Sequence, residues 1–454
     1  MILYKELVRT DQENLWHPFT QMQEWAHEEP IIIEKGEGPY LIDIQGRKYL
    51  DGISSLWANV FGHRRREIDQ AIQKQLKKIA HSTLLGLAHV PSILLTQELR
   101  AILPAGLEHV FYSDDGSTAI EAALKICYQY HRQKPTPEKQ RILFLKFTNA
   151  YHGDTMGAVS IGGISLFHQT YRSLLFRTKA LPYPNCYRCP YDKNPKNCGG
   201  YCLEKTKLKI RQNHKKVAGI IVEPMIQGAA GMITMPRGFL TGLAETARFY
   251  KIPLIADEVA TGFGRSGRMF ACQHERVVPD IICAAKSLTG GYLPLAITAV
   301  SQTIYRTFLG PYRDFKTFFH GHTYTGNPLG CAAALATLKI FEKECVIEKL
   351  QKKILILKKG LRRFWKLKHV GDIRQLGMMI GIELVQNRFT KAPYPLEQRI
   401  GHQVTLVARK GGLILRPLGN VIVILPPYIC SAAQLKTILN ITYEAIQKVT
   451  EIRL

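Results

Sequence analysis

Short apolar runs separated by helical patterns constrain the fold of this 454-residue chain more than any other feature. Three of them are VAGIIVEP (217–224), YKIPLIADE (250–258) and PDIICAAK (279–286), and each closes on a proline or a charged residue. The segment RGFLTGLAETARFYK, between the first two, has the spacing of a helix. Strands that alternate with helices of this length predict parallel βαβ units and a doubly wound α/β fold. Such folds bind ligands beyond the carboxyl ends of their strands, so the closing polar residues are candidate site residues.

The part of the chain after residue 335 has a different pattern. A long basic helical pattern over 343–368 is followed by the strand-like segments GMMIGIELV and VIVILPPYI. This pattern predicts a smaller α+β domain over 336–454, after a large doubly wound domain with a mainly parallel sheet over 61–335. Residues 1–60 are predicted to contribute to the small domain and to the active site. The chain length suits one large and one smaller domain.

Composition argues against two classes of protein. Hydrophobic residues make up 46% of the chain, which is too many for a disordered protein. No run approaches the ~18 uninterrupted apolar residues of a membrane-spanning helix. The first fifteen residues carry charges at positions 5, 6, 9, 11 and 13 and lack the apolar stretch of a secretory signal. We therefore expect the protein to lie in the cytoplasm.

The formal net charge of +25 is the unusual feature of the composition. Such an excess is typical of proteins that bind nucleic acid or membrane surfaces. The densest basic segment, KKILILKKGLRRFWKLK, nevertheless places Ile354, Leu357, Leu361 and Trp365 at helical spacing. That spacing favours an amphipathic helix whose basic residues face solvent. We expect neither nucleic acid nor a membrane as a partner.

Asp257 and Lys286 close two of the apolar runs, and they are the first candidates for chemistry. Taken alone, the two residues fit an ordinary ion pair. A lysine at the end of an apolar run is unusual, however, because burial lowers the pKa of an ammonium group and makes the amine a nucleophile. A buried aspartate can hold the nitrogen of a heteroaromatic ring protonated, as pyridoxal phosphate requires. The pair becomes informative if a phosphate site and a residue that packs on a ring accompany it.

The sequence contains candidates for a phosphate site and for a residue that packs on a ring. Gly116, Ser117 and Thr118 open a helical pattern in FYSDDGSTAIEAALKICYQY, where free N–H groups and the helix dipole can bind an anion, although an ordinary helix cap has the same pattern. Thr323, in FFHGHTYTGNP, is a second candidate for a phosphate contact. Tyr151 follows the strand-like RILFLKFTNA, where its ring could pack on a cofactor or could simply occupy a turn.

The order of these motifs resembles that of the class III pyridoxal-phosphate-dependent aminotransferases of fold type I. The diagnostic stretch is LIADEVATGFGRSGRMFACQHERVVPDIICAAKSLTGG, and it is supported by DDGSTAIEAALK, AYHGDTMGA, VEPMIQGAAGM and GHTYTGNPLGCAAALA. The resemblance runs from about Trp16 to Tyr428. LWHPFTQM, DGISSLWANVFGH, HSTLLG and LRPLGN are similar to the branch of biotin biosynthesis, whose members transfer an amino group to 8-amino-7-oxononanoate.

The resemblance implies a role for each matching residue. It implies Lys286, Asp257 and Tyr151 as catalytic residues, with Lys286 forming the Schiff base and Asp257 the partner of the pyridine nitrogen. Pyridoxal 5'-phosphate is the implied cofactor, and its binding residues would be Gly116, Ser117, Tyr151, Glu223, Asp257, Lys286, His322 and Thr323. Thr323 matches a phosphate contact from the neighbouring subunit, so a homodimer with shared active sites is implied. The implied substrate residues are Phe19, Leu56, Trp57, Arg265, Gly321 and Arg416, of which Arg416 matches the arginine that binds the substrate carboxylate.

Four positions depart from the form of this branch that uses S-adenosylmethionine as amino donor. Phe19 replaces a tyrosine, Leu56 replaces the first tryptophan of a pair, His322 replaces a proline and Val423 replaces an aromatic residue. Loss of a hydroxyl and of a large ring removes contacts that a bulky sulfonium nucleoside could use. A site changed in this way is similar to that of the variant of the same enzyme that uses lysine as amino donor. The sequence therefore leaves both donors open.

Four of the ten cysteines form a separate cluster. Cys186, Cys189, Cys198 and Cys202 have the spacing C-x2-C-x8-C-x3-C in PNCYRCPYDKNPKNCGGYC. Paired spacings of this kind are compatible with a tetrahedral zinc site, but the middle spacing is short. Free thiols in a surface loop are the favoured alternative, and disulfides are the third. We therefore predict no firm metal site.

Two other functions remain to be compared with an aminotransferase of biotin biosynthesis. One is a class III ω-aminotransferase that uses 2-oxoglutarate, against which the stretches around Trp57 and Arg416 argue. The other is a basic nucleic-acid-binding protein that has kept only the fold. The intact set of Asp257, Lys286, Ser117 and Thr323 argues against it, because a decayed site would have no reason to keep the lysine.

Overall fold

The computed structural model describes residues 4–451, and its N-terminal part forms a small antiparallel ribbon beside two helices. Residues Ser54–Trp57 then make one left-handed turn, with φ between +46° and +74°. The elements are α1 (Tyr4–Asn14), α2 (Met22–Trp25), β1 (Ile33–Glu37), β2 (Tyr40–Asp43), β3 (Lys48–Asp51) and the turn α3 (Ser54–Trp57).

The central part of the chain alternates strands with helices. Its helices are α4 (Arg66–Leu76), α5 (Val90–Ile102), α6 (Gly116–Gln133), α7 (Met156–Ile161), α8 (Ser165–His168), α9 (Tyr201–Asn213), α10 (Phe239–Phe249), α11 (Gln302–Tyr305) and α12 (Pro328–Lys343). Its strands are β4 (Leu107–Ser113), β5 (Leu143–Phe147), β6 (Thr178–Leu181), β7 (Val217–Val222), β8 (Ile226–Gln227), β9 (Ile233–Thr234), β10 (Leu254–Asp257), β11 (Ile281–Ala284) and β12 (Ala296–Ser301).

Seven of these strands form one sheet, in the order β4-β12-β11-β10-β7-β5-β6. β12 is antiparallel to both of its neighbours, and the other neighbouring pairs are parallel. The middle strands β7, β10 and β11 are buried along their whole length, as expected for strands covered on both faces. The predicted α/β fold with a mainly parallel sheet is confirmed.

The C-terminal part forms a second, mainly antiparallel sheet with helices. Its elements are α13 (Val346–Leu361), β13 (Val370–Leu376), β14 (Met379–Asn387), β15 (Ala392–Pro393), α14 (Ile400–Lys410), β16 (Leu413–Ile414), β17 (Arg416–Leu418), β18 (Val421–Ile424) and α15 (Ala432–Thr450). β16 leaves this part and pairs with β3, with Leu413 opposite Leu50. The N-terminal ribbon and the C-terminal part therefore share a sheet. The domain limits at residues 60 and 335 stay a prediction, and α12 runs across the second.

The basic segment differs in detail from the sequence prediction of one helix over 343–368. Cys345 has a left-handed backbone (φ +48°), which separates α12 from α13. α13 ends at Leu361, and residues Arg362–Lys366 form a 3₁₀ turn. Leu357 and Leu361 are buried, so the predicted apolar face exists. Within residues 4–451, no helix is long and apolar enough to cross a membrane.

Candidate active site

Three polar side chains meet at the carboxyl edge of the parallel strands. Asp257 is the last residue of β10, Glu223 follows β7, and Lys286 follows β11 by two residues. Because these strands run in the same direction, their ends open into one cavity of about 480 Å³, which all three residues line. Lys286 has φ +38° and begins a 3₁₀ turn, so the chain bends away from the sheet where the amine enters the cavity.

Asp257 is held in place by two hydrogen bonds. Its Oδ1 accepts from the backbone N–H of Val259 at 3.0 Å, and its Oδ2 lies 2.6 Å from Nδ1 of His152. Both side chains are buried. Nε2 of His152 is also buried and has no hydrogen-bond partner among the described residues. A carboxylate with fixed orientation at the floor of a cavity suits the stabilisation of positive charge on a bound ring.

Burial shifts the pKa of the two other polar groups. It lowers the pKa of Lys286, against the opposing effect of the nearby Asp257 and Glu223 carboxylates. It raises the pKa of Glu223 to about 7, although the N–H groups of Tyr151 and Gly228 donate to that carboxylate at 3.1 and 2.9 Å. A lysine amine with a lowered pKa is a stronger candidate for nucleophile and base at neutral pH than an exposed lysine.

The N-terminus of α6 opens into the same cavity. Asp115 caps this 18-residue helix, with its Oδ1 accepting from the N–H of Thr118 at 3.0 Å, and Gly116 and Ser117 line the cavity. The space is tight, because a Cβ on Gly116 would lie 2.6 Å from the side chain of Val259. The free N–H groups, the Ser117 hydroxyl and the positive end of the helix dipole form an anion site. Thr118 is used in the cap rather than at the cavity.

Aromatic side chains form the walls. Tyr151 lines the cavity and donates from its hydroxyl to Oδ2 of Asp154 at 2.6 Å; burial, and then this carboxylate, raise its pKa. Trp57 is 7% exposed, and its ring centroid lies 5.5 Å from Nζ of Lys286. Nε1 of Trp57 is buried without a hydrogen-bond partner in the part of the chain that the structure describes.

Arg265, predicted among the substrate residues, lies beneath the cavity wall instead of on it. Its guanidinium is fully buried and donates to the backbone carbonyls of Trp57, Asn59 and Pro426 at 3.1 to 3.2 Å. Burial lowers its pKa. The side chain therefore supports the left-handed turn that carries Trp57. Leu56, in the same turn, is 51% exposed and does not line the cavity.

Phe19 and Arg416 line a second cavity, of about 640 Å³, between the N-terminal segment and α14. The ring of Phe167 contacts one residue of each cavity, with its centroid 5.2 Å from that of Phe19 and 6.3 Å from that of Tyr151, although Phe167 itself lines neither cavity. Arg416 is close enough for its charge to lower the pKa of Tyr151 against the effect of burial. Val423 lies in an apolar cluster with Trp57 and lines neither cavity. Of the four positions that depart from the S-adenosylmethionine pattern, only Phe19 faces a cavity.

Gly321, His322 and Thr323 do not line the central cavity of this single chain. Gly321 and Thr323 are exposed, and Nδ1 of His322 lies 3.1 Å from Oδ2 of Asp114, a cavity residue. The segment therefore lies at the rim. Its predicted contribution to a phosphate site requires a second chain.

The four clustered cysteines line a cavity of about 360 Å³. All four are free thiols, and burial, followed by the neighbouring thiols of Cys198 and Cys189, raises the pKa of Cys186. Within residues 4–451, no three His, Cys, Asp or Glu side chains are placed to hold one metal ion. The placement of these thiols gives the zinc alternative no support.

The central cavity fits a phosphorylated heteroaromatic aldehyde. The end of α6 can hold a phosphate, Asp257 can pair with a ring nitrogen, and the Lys286 amine can condense with a carbonyl. Buried atoms without partners on Trp57 and His152 also face or adjoin this space. The chemistry of these residues fits the cofactor that the sequence resemblance implies.

Comparison with known families gives the site its context. The family model for aminotransferase class III matches residues 21–446. The chain belongs to the class III aminotransferases. This class III aminotransferase is 54% identical to the adenosylmethionine-8-amino-7-oxononanoate aminotransferase of Nitratidesulfovibrio vulgaris, over 97% of this chain and 81% of the relative. It is 50% identical to the protein of the same name from Geobacter sulfurreducens, over 97% of both chains.

The solved structures that this chain resembles are also transaminases. The adenosylmethionine-8-amino-7-oxononanoate aminotransferase of Methanocaldococcus jannaschii has a TM-score of 0.93 and 46% identity, covering 98% of this chain and 99% of its own. An (S)-enantioselective ω-transaminase of Thermomicrobium roseum has a TM-score of 0.92 and 32% identity, covering 99% of both chains. The fold of this class III aminotransferase is therefore that of the fold type I transaminases, as the sequence resemblance implied.

Three residues of the site were given no role by the sequence. They are His152, which contacts Asp257; Asp154, which accepts from Tyr151; and Phe167, whose ring contacts those of Phe19 and Tyr151. His152 and Asp154 flank the tyrosine in the motif AYHGD, so their position was visible in the sequence although their partners were not. Phe167 lies in the short helix α8, and nothing in the sequence around it indicates a contact with Tyr151.

Proposed function

We propose that this class III aminotransferase transfers an amino group to 8-amino-7-oxononanoate to give 7,8-diaminononanoate, a step of biotin synthesis. The observation that carries the proposal is the meeting of Lys286, Asp257 and the N-terminus of α6 in one cavity, with Arg416 close enough to the cavity residue Tyr151 for its charge to lower the pKa of that tyrosine. A keto substrate with a terminal carboxylate needs both this cavity and the cavity of Arg416. The names of the relatives identify this substrate among those of the class.

Pyridoxal 5'-phosphate is the proposed cofactor, and when bound it supplies an electron-deficient ring that accepts the electron pair of the breaking C–H bond. Gly116 and Ser117 hold its phosphate, Asp257 its ring nitrogen and Lys286 its carbonyl carbon, while Tyr151 packs beside the ring. Once the amine of the donor had replaced Lys286 at that carbonyl carbon, the freed Nζ of Lys286 would take the proton from the amine-bearing carbon of the donor, as a general base with a lowered pKa. Glu223 lines the same cavity beside Asp257 and Lys286.

Arg416 binds the carboxylate of the keto substrate in the second cavity. Its guanidinium makes no ion pair or side-chain hydrogen bond with any residue from 4 to 451, so its planar donor face is available to a carboxylate. Phe19 and Phe167 offer apolar surface for the aliphatic chain of the substrate. These contacts would place the keto carbon toward Lys286 and the carboxylate away from it.

The proposed assembly is a homodimer in which Thr323 of a second copy of this chain completes the phosphate site. Exposed apolar side chains support it, including Leu85 (88% exposed), Tyr312 (83%) and Phe319 (72%), because large exposed apolar residues are common at protein interfaces. The cytoplasmic location stays a prediction.

S-adenosylmethionine is the proposed amino donor, because the relatives are named for it and only one of the four departing positions faces a cavity. L-lysine is the second candidate. The observation that favours it is Phe19, which lines the substrate cavity without the hydroxyl of a tyrosine.

An assay of the purified holoenzyme tests the function and the donor together. Each donor is supplied separately with 8-amino-7-oxononanoate, and 7,8-diaminononanoate is measured by mass spectrometry. We expect product with S-adenosylmethionine and none from Lys286→Ala, which also loses the yellow colour of the bound cofactor. Product with L-lysine alone would replace the proposed donor. Product with neither donor, but amino transfer to 2-oxoglutarate, would contradict the assignment to biotin synthesis and leave the family unchanged.

A further inference from the structure

A third cavity, of about 560 Å³, lies beside the loop that carries Arg265. Its walls come from residues 266–268 of that loop, from α13 and the following 3₁₀ turn, and from the end of β13. We call it the basic cavity, and its defining residues are Arg268, His274, Lys358, Arg362 and Trp365. It shares no lining residue with the central cavity or with the cavity of Arg416.

The charge of the basic cavity is one-sided. Arg268, Lys358 and Arg362 line it, and no aspartate or glutamate does. None of these three side chains makes an ion pair or a hydrogen bond within the described range 4–451. Elsewhere on the surface arginines do find carboxylates, as Arg188 does with Glu383 at 2.7 Å. Three exposed cations thus face one concave space whose lining holds no carboxylate, and the positive potential there favours an anion from outside the chain.

The walls of the basic cavity are fixed by hydrogen bonds and close packing. Nε2 of Gln351 donates to the carbonyl of Gly267 at 2.9 Å, which ties α13 to the loop. Nε2 of His274 lies 3.0 Å from the carbonyl of Ser266. Gly377, at φ +61°, packs so closely that a Cβ would lie 2.3 Å from the backbone of Ser266. The loop that presents Arg268 is therefore held on both sides, so the cavity does not depend on flexible side chains alone.

An aromatic face borders the same space. Trp365 lines the cavity and is 45% exposed, although its position in the helical pattern predicts burial with Leu357 and Leu361. An exposed indole beside guanidinium groups without carboxylate partners can bind a ring bearing phosphates, on the indole face opposite the guanidinium of Arg388, whose carbon lies 5.7 Å from the ring centroid. Stacking supplies the apolar contact, and the guanidinium groups supply charge-assisted hydrogen bonds. A volume of about 560 Å³ lies in the usual range of small-molecule sites, ~300–1,000 Å³.

We propose that the basic cavity is a binding site for a small aromatic polyphosphate, of which a nucleoside triphosphate is the chemical class. Arg268, Lys358 and Arg362 bind the phosphates, and Trp365 stacks on the base. The site is separate from the cavity that carries Lys286, so it does not depend on the reaction proposed above.

Calorimetric titration of the holoenzyme tests this proposal, with ATP, inorganic triphosphate and adenosine as probes. The test variant is Arg268→Gln/Arg362→Gln, and the control is Lys352→Gln/Lys359→Gln. The control changes net charge by the same amount on exposed positions of α13 outside the cavity. We expect the affinity for ATP to fall at least about tenfold in the test variant and to stay within about twofold in the control, since charge-assisted hydrogen bonds are lost only in the first.

A third variant separates the base from the phosphates. Trp365→Ala should weaken ATP about tenfold and leave inorganic triphosphate unchanged, because only ATP has a ring to stack. Adenosine alone should bind more weakly than ATP. Equal losses in the test and control variants would show non-specific attraction to a basic surface and would overturn the proposal. So would the absence of any heat with ATP, provided that the titrated protein is yellow and active.

Discussion

The two sides of the active site are built in different ways. The cofactor side consists of buried side chains at the ends of parallel strands. Asp257 is held there by a backbone N–H group and by the ring of His152, and Glu223 accepts hydrogen bonds from two backbone N–H groups. The substrate side consists of loop and edge residues, such as Phe19, which is 58% exposed and has φ +53°. A sheet edge fixes charge precisely, whereas loops change shape and sequence more easily. We infer that the first side determines the reaction and the second determines the substrates.

The largest effect is expected from Asp257→Asn. The amide keeps the size of the side chain but removes the charge that would stabilise a protonated ring nitrogen. We expect kcat to fall by roughly 10²–10³-fold, with KM for the keto substrate little changed, in steady-state assays of cofactor-saturated enzyme. Asp154→Asn, which alters a carboxylate that contacts only Tyr151 among these residues, is the matched control and should cost much less. Equal losses in both variants would contradict the specific role of the Asp257 charge on the cofactor side.

The next effect is expected from Arg416→Gln, on the substrate side. Loss of a bidentate charge-assisted hydrogen bond to the substrate carboxylate should raise KM for the keto substrate by about 10–100-fold. The change in kcat should be smaller, because Lys286 and Asp257 are untouched. An assay with the methyl ester of the same substrate is the control, since the ester has no carboxylate for Arg416 to bind. If the variant and the wild-type protein discriminate equally between acid and ester, Arg416 does not bind the carboxylate.

A smaller effect, on stability, is expected from Glu223→Gln. Burial raises the pKa of Glu223 from the ordinary 4.5 to about 7, so the folded protein favours the neutral acid. The stabilisation that this gives is complete below the pKa of the unfolded chain and is lost as pH rises through about 7. The glutamine does not titrate. In protein stripped of cofactor, the Tm of the variant relative to wild type should therefore increase by a few degrees between pH 5 and pH 8. A pH-independent difference would contradict the raised pKa.

The sequence predicted the cofactor side better than the substrate side, for a physical reason. Lys286 and Asp257 close apolar runs, and apolar runs predict buried parallel strands whose ends must meet. No such periodicity governs the left-handed turn at 54–57, where Arg265 donates to the carbonyl of Trp57 from more than 200 positions away. Because that contact is not visible in the sequence, the resemblance implied Arg265 as a substrate residue, whereas its side chain lies beneath the cavity wall. The sequence also missed the contact between His152 and Asp257, which joins a loop to a strand end.

The smallest effect is expected from Leu56→Ala, and it tests how far the resemblance holds on the substrate side. Trp57 lines the central cavity, whereas Leu56 is 51% exposed and lines neither that cavity nor the cavity of Arg416. Truncation of an exposed side chain changes free energies by at most about 0.5 kcal/mol, so the KM for either donor should change by no more than about twofold. Trp57→Ala, in the neighbouring position, should change it by far more. A tenfold rise in the donor KM of Leu56→Ala would mean that the second copy of the chain brings Leu56 to the substrate, and the substrate side would then be built by two chains.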